Sequence, residues 1–362
     1  MSSSLSKTEG DNTEPNADPG MKEEQVEAAT PPPRASESNR NGKEKPEDIV
    51  IYYFPTSYSS QKVLISLFEK KLKFKPSIVS LFHGQHMEPW YVRLNPNGAH
   101  VPVLVHGEMI INDPDRIIDY VDKLQGTSGP QLVPSRSSDV GQKVSRFRSM
   151  LSKIPVDVIS YGIIFHPQLS GGRCQLPLAI QRSMRENFAN RLRYLITLST
   201  VYPDLRDCYL AKSQTAAEKY DLITDEDRVR GQIDQLDGFL NSVEEELREK
   251  YGLEEGSKQN QMFLYGESLT VADIGLYVLI TRLQILGLLP QSVPSSRYPL
   301  IHRHFTLLSA RPSIGKLLDE MSKLRYTLLL EDIKASGSYV AIALGAGLVV
   351  LAAYYLVKKL KR

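Results

Sequence analysis

Cysteine is nearly absent from this chain. Its 362 residues include two, Cys174 and Cys208, too few for a disulfide framework and in no CxxC pair, so reduced thiols in a cytosol-facing domain are expected. Histidine is sparse too, seven in all, with no pair at metal-ligand spacing, and no metal is expected. His302 and His304 lie two apart on an expected helix and so point to different faces. An excess of one charge is also lacking. With 44 basic and 42 acidic residues the formal net charge is +2, which gives no field for nucleic acid. No apolar run follows Met1, and the first 30 residues are acidic, so neither a signal peptide nor a transit peptide is expected. Residues 1–47 lack aromatics and are rich in Glu, Ser, Asn and Pro. Such a segment cannot bury enough apolar surface to offset the entropy of ordering it, and a disordered arm is expected there.

What the chain does have is one long apolar run near its end. Residues 339–357 carry no charge over 19 positions. As a helix they would span about 28 Å at 1.5 Å per residue, close to the roughly 30 Å of a hydrocarbon core. Tyr339, Tyr354 and Tyr355 sit near its ends, where amphipathic rings favour the interface. Lys358, Lys359, Lys361 and Arg362 follow in a basic tail, 358–362. A transmembrane helix over 338–357 is therefore expected. With so little chain after it, insertion would be post-translational and the body cytosolic. The short span rich in Ala and Gly, with its basic flank, resembles tail anchors of the mitochondrial outer membrane; endoplasmic reticulum and peroxisome are the alternatives. Lipid of that membrane is an expected partner. Ala341 with Gly345, and Ala343 with Gly347, give the small-xxx-small spacing that lets two helices approach, which allows a homodimer.

Between arm and anchor the pattern is α+β. Residues 48–54 read as a buried strand, followed by a serine-rich turn and a helix over 61–71 with apolar positions at Val63, Leu64, Leu67 and Phe68. Ile78 and Val79 resume as a strand. Val101 to Ile111 gives two short strands around a turn, and Ile117, Ile118 and Val121 form the inner stripe of a helix. The order is thioredoxin-like, βαβββα, over 48–125. A Gly, Ser and Pro-rich linker occupies 126–138, and 139–330 reads as all-helical. Within it Thr270 and Asp273 have capping-box spacing, with Leu269 and Ile274 at the staple positions.

Val101-Pro102, the string Ser268-Leu-Thr-Val-Ala-Asp273-Ile-Gly-Leu276, Tyr298-Pro299 and Ala310-Arg-Pro-Ser313 together resemble the glutathione transferase family over roughly 48–320. About 130 residues separate the linker from the capping box, more than a compact member needs, with an insertion at about 168–230. Tyr58-Ser-Ser-Gln-Lys-Val63, His86-Met-Glu-Pro-Trp90, Arg93-Leu-Asn95, Ile117-Ile-Asp-Tyr120, Pro155-Val-Asp157 and Phe165-His-Pro167 narrow this. They resemble the ganglioside-induced differentiation-associated protein 1 group.

That resemblance implies glutathione as ligand. Pro102 would follow a cis peptide that sets backbone groups of Val101 against it. Ser57, Ser59 and Ser60 would occupy the turn where serine-type members stabilise the thiolate, a role a hydroxyl at a helix N-terminus can fill; plain helix capping is the other reading. Asp113 would be the carboxylate of the γ-glutamyl grip, but Pro114 stands where the family usually has serine and offers neither hydroxyl nor amide. Glutathione is therefore expected to bind weakly. The resemblance further implies an outer-mitochondrial-membrane protein acting on fission, network shape and redox balance, an adaptor for organelle-dynamics proteins with weak or no catalysis. A membrane-tethered transferase conjugating glutathione to electrophiles is the alternative. Arg173, Arg182, Arg185, Arg191 and Arg193 in the insertion read as a basic face for anionic lipid or an acidic partner, or as solvated snorkelling side chains.

Overall fold

The structure, a computed structural model, describes residues 48–176, 178–252 and 261–335. The expected arm at 1–47, the anchor at 338–357 and the tail at 358–362 lie outside the described residues. Among the described residues no helix is long and apolar enough to cross a membrane.

Strand β1 (Ile49–Tyr53) alternates, burying Ile49, Ile51 and Tyr53. It leads through a tight turn into α1 (Tyr58–Glu69), whose Val63, Leu64 and Leu67 are buried. β2 (Lys75–Ile78) runs parallel to β1 with Val50 opposite Lys75. β3 (Val103–His106) is antiparallel to β1, Val50 opposite Val105, and β4 (Met109–Ile111) closes a hairpin with it. The sheet order is β2-β1-β3-β4, and the Val101–Pro102 peptide is cis. Helix α3 (Pro114–Lys123) buries Ile117, Ile118 and Val121 against the sheet.

One element departs from expectation. Helix α2 (Pro89–Leu94) stands between β2 and β3, so the order is βαβαββα rather than βαβββα. Pro89 suits a first helical position, where its missing N–H is not needed, and Tyr91 and Val92 turn inward. Six residues are too few to display a helical period. β2 also begins earlier than Ile78, because an exposed edge strand containing Pro76 carries no alternating apolar signal.

The rest is helical, with no strand after β4 among the described residues: α4 (Asp139–Ser152), α5 (Val156–Phe165), α6 (Leu178–Val201), α7 (Arg206–Ile223), α8 (Glu226–Tyr251), α9 (Val271–Ile285), α10 (Leu289–Ser292), α11 (Pro299–Ser309) and α12 (Pro312–Ala335). α9 is apolar around nearly its whole circumference and forms the centre of the core. At Gly275 a Cβ would come within 2.7 Å of Leu151, so the glycine lets α4 approach. The capping box forms at its N-terminus, and Asp273 does more than cap. It accepts hydrogen bonds from Thr270 N (2.8 Å), Thr270 Oγ1 (2.9 Å) and Leu264 N (2.6 Å), and pairs with His304 Nε2 at 2.9 Å. Both Asp273 and His304 are wholly buried. His302 instead contacts Val293 O at 2.7 Å, on the other face.

The first domain meets the helices along two seams. In one, Arg311 clamps Glu69 through two bonds of 2.8 Å, Ser313 donates to the same carboxylate at 2.5 Å, and Tyr53 donates to Glu320 at 2.5 Å. In the other, the α6–α7 hairpin lies against the sheet. Leu195, Leu198, Leu205 and Tyr209 share a cluster with Phe54, Val79, Met87 and Val103, each large side chain contributing roughly 1.5–3 kcal/mol by burial. Tyr209 donates to Met87 O (2.9 Å), Lys212 to Gly98 O, and Arg93 pairs with Asp204 at 2.8 Å.

Candidate functional site

A cavity of about 560 Å³ opens where the first domain faces α4, α5, α6, α7 and α9, a volume suited to a small organic ligand. The first domain supplies the turn at 56–59, Lys62 and Val101. The helices supply Arg148, Tyr161, Arg191, Lys219 and Arg282, and Phe54, Leu81, Phe82, Leu151 and Met184 make it partly apolar. Five Lys or Arg side chains line it against two carboxylates, Asp115 and Asp157, so its field is positive.

The expected site residues divide. Ser57 lines the cavity and caps α1, its Oγ accepting from Ser60 N at 3.4 Å. Ser59 and Val101 also line it, whereas Pro102 does not. Ser60 is fully buried, accepts from Phe54 N at 3.3 Å and lies outside the lining. Asp113 is the exposed N-cap of α3, accepting from Arg116 N at 2.8 Å. The carboxylate that α3 sends into the cavity is Asp115, 3.5 Å from both Lys62 and Arg148. Pro114 is the first residue of α3. Thr270 and Asp273 sit behind the wall that Val271 presents. Of the insertion's arginines, Arg191 faces the cavity, while Arg173, Arg182 and Arg193 are exposed.

Four residues that the sequence did not single out for this site dominate its electrostatics: Tyr58, His86, Lys219 and Arg282. Arg282 donates through Nη2 to Thr56 O at 2.7 Å, has no carboxylate partner among the described residues, and its pKa is lowered by burial. The single cation in the largely apolar α9 is the signal that could have found it. Burial also pushes the Tyr58 hydroxyl above its usual range, so it stays a neutral donor. His86 is held well below its ordinary value, first by burial and then by Arg191 and Lys212. Burial would raise Asp157, but Lys219 outweighs it and keeps the carboxylate ionised. Among the described residues, five buried side-chain nitrogen or oxygen atoms have no hydrogen-bond partner; Tyr58 Oη, His86 Nδ1, Arg191 Nε and Arg282 Nε are four of them. All four belong to residues lining this cavity. Each such atom costs about 1–3 kcal/mol when left unsatisfied, and a ligand rich in acceptors would relieve that cost.

Family models for the glutathione S-transferase N-terminal domain and C-terminal domain match residues 56–124 and 228–312. The chain is 32% identical over 289 residues to human Ganglioside-induced differentiation-associated protein 1-like 1, covering 79% of this chain and 77% of that protein. The mouse counterpart is 31% identical over 306 residues, with 83% and 81% covered. This chain belongs to the ganglioside-induced differentiation-associated protein 1 family. Glutathione S-transferase TCHQD of Arabidopsis thaliana is 25% identical over 270 residues, covering 74% of this chain and 88% of that one. The crystal structure of beta-etherase LigF from Sphingobium sp. aligns with a TM-score of 0.52 at 18% identity, over 75% of this chain and 99% of that chain, and shows the fold alone. Residues 125–227, which carry α4 to α7, fall between the two matched transferase segments. The family's transferase halves thus supply Ser57, Val101 and Arg282, while Arg148, Arg191 and Lys219 come from the stretch between them.

Proposed function

We propose that this chain is a tail-anchored, glutathione-transferase-like protein of the mitochondrial outer membrane, its body cytosolic, that regulates mitochondrial fission, network dynamics and redox balance as an adaptor for organelle-dynamics proteins. Catalysis is weak or absent. The observation that carries the adaptor reading is the engagement of the expected glutathione residues in the fold itself. Ser57 caps α1, Ser60 accepts from Phe54, Asp113 caps α3, and Pro114 has no amide to give. A ligand deprived of that grip binds with a Kd of about 1 mM or weaker. The apolar run at 339–357 with its basic flank supports anchoring, and family membership supports the organelle role. The test is rescue of mitochondrial shape in cells lacking the protein. A folded Ser57→Ala, Ser59→Ala, Ser60→Ala variant should rescue, while deletion of 338–362 should leave the protein soluble and fail. Loss of rescue by the serine variant overturns this reading.

The second reading, a membrane-tethered transferase conjugating glutathione to electrophiles, is favoured by the ligand-sized cavity with its four unpartnered polar atoms. Conjugation of chlorodinitrobenzene at ordinary transferase rates by the full chain would establish it.

A further inference from the structure

The α6–α7 hairpin adds a wall to the cavity, and that wall has its own chemistry. Arg191 from α6 and Lys219 from α7 face the cavity, and His86 meets them from the loop before α2. Lys212 stands behind, its ammonium donating to Gly98 O. His86 is 8% exposed, and its Nδ1 has no partner. Arg191 Nε is likewise buried and unpartnered. The Arg191 guanidinium lies 4.9 Å from the Phe188 ring centroid, a cation–π contact that holds it in place instead of leaving it free to swing into water. Asp157 is the carboxylate of this wall and is paired with Lys219. Three cations against one anion leave a surplus of two positive charges.

We propose that this wall is an oxyanion subsite for a doubly charged phosphate group, with Arg191 Nε and His86 Nδ1 as direct donors and Lys219 and Lys212 as the balancing charge. Several observations converge on this class of ligand. Both unpartnered atoms are ring or guanidinium nitrogens; Arg191 Nε can only donate, and neutral His86 donates in its Nδ1–H tautomer. An oxyanion accepts from both at once, and charge-assisted bonds of this kind are the stronger sort. The charge surplus equals that of a phosphate monoester. Leu81, Phe82 and Met184 line the same cavity and can take an apolar body attached to the phosphate. Phosphate could thus arrive as a small monoester or as a lipid headgroup, and the chemistry at Arg191 and His86 is the same.

The proposal rests on the cavity being a ligand site, and it is independent of glutathione. The test uses the full chain in nanodiscs of uncharged lipid, titrated calorimetrically with inorganic phosphate and, separately, with dioctanoyl phosphatidic acid. Binding of either is expected. Arg191→Gln should weaken it about tenfold or more, as loss of a hydrogen bond to a charged group requires. Lys219→Met should weaken it less, and Asp157→Asn should tighten it. Arg193→Ala, exposed on the same helix, should change nothing. Stronger binding of phosphatidic acid than of phosphate assigns the lipid source, and equal binding assigns a small monoester. No binding of either probe, or unchanged binding in both Arg191→Gln and Lys219→Met, overturns the subsite. A parallel glutathione titration reports on the adaptor reading alone, so the two can fail separately.

Discussion

The first domain meets the helices at the α1–α12 seam and around the cavity, and the two contacts treat their charged groups in opposite ways. Where α1 meets α12, each charged group has an answering partner: Glu69 takes three bonds from Arg311 and Ser313, and Glu320 takes Tyr53 and Lys323. Where the turn at 56–59 meets α6, α7 and α9, donors outnumber acceptors and four polar atoms stay open. A junction that only held the domains together would not need the second arrangement. A buried cation without a carboxylate raises the energy of the folded state, so its persistence points to an acceptor that arrives from outside.

The largest expected effect lies in the core behind both contacts, and the closed side comes second. Asp273→Ala should cost about 3–5 kcal/mol, since it strips four hydrogen bonds at once and leaves His304 buried without its carboxylate. Capping alone would suggest only about 1–2 kcal/mol, and thermal unfolding distinguishes the two. Next comes Glu69→Gln, at about 2–4 kcal/mol from the half-open clamp. Burial raises the Glu69 pKa, but Arg311 and Ser313 outweigh it, so the folded value lies below the ordinary one. The clamp's stabilisation is therefore complete above the unfolded carboxylate value and lost as pH falls through the folded one. Unfolding titrations should show wild type and Glu69→Gln converging in acid.

On the open side the expected loss nearly vanishes. Arg282→Met should alter stability by less than about 1 kcal/mol, because it removes an unpaired buried charge together with a single bond to Thr56 O. A loss as large as that of Glu69→Gln would mean Arg282 holds the fold and erase the distinction between the two contacts. The smallest effect belongs to pH. Burial first, then Arg191, brings Lys212 down to about 8. Between that value and its ordinary one the unfolded chain binds more protons, so stability rises with pH there. Phosphate binding should weaken by a small factor across the same range as the ammonium loses its charge, which calorimetry at pH 7 and 9 would reveal.

Local signals made the fold readable. The apolar stripe of α3, the Val101-Pro102 pair and the Thr270–Asp273 box each lie within a dozen residues. α2 was hidden because six residues cannot show a period, and the start of β2 because an exposed edge strand has no alternation. The site divides along the same line. Ser57, Ser59 and Val101 belong to contiguous motifs and line the cavity. Tyr58 sits in the same turn as Ser57 and Ser59 but carried no signal of its own, and His86, Lys219 and Arg282 join it only through tertiary packing. Asp113 and Asp115 illustrate the limit: two carboxylates at the start of one helix, one capping it and one turned to Arg148. The choice depends on α4, which lies well downstream in the chain.

The Tyr53–Glu320 and Glu69–Arg311 contacts join residues 267 and 242 positions apart. During synthesis at roughly 5–20 residues per second, the first domain leaves the ribosome some ten to fifty seconds before α12 exists. Throughout that interval the face of α1 that α12 will cover is open to water, with Glu69 carrying its charge unanswered. The nascent chain thus passes through a half-built stage in which its first domain is at its most vulnerable to misassociation, and completion waits for the very segment that leads into the apolar run.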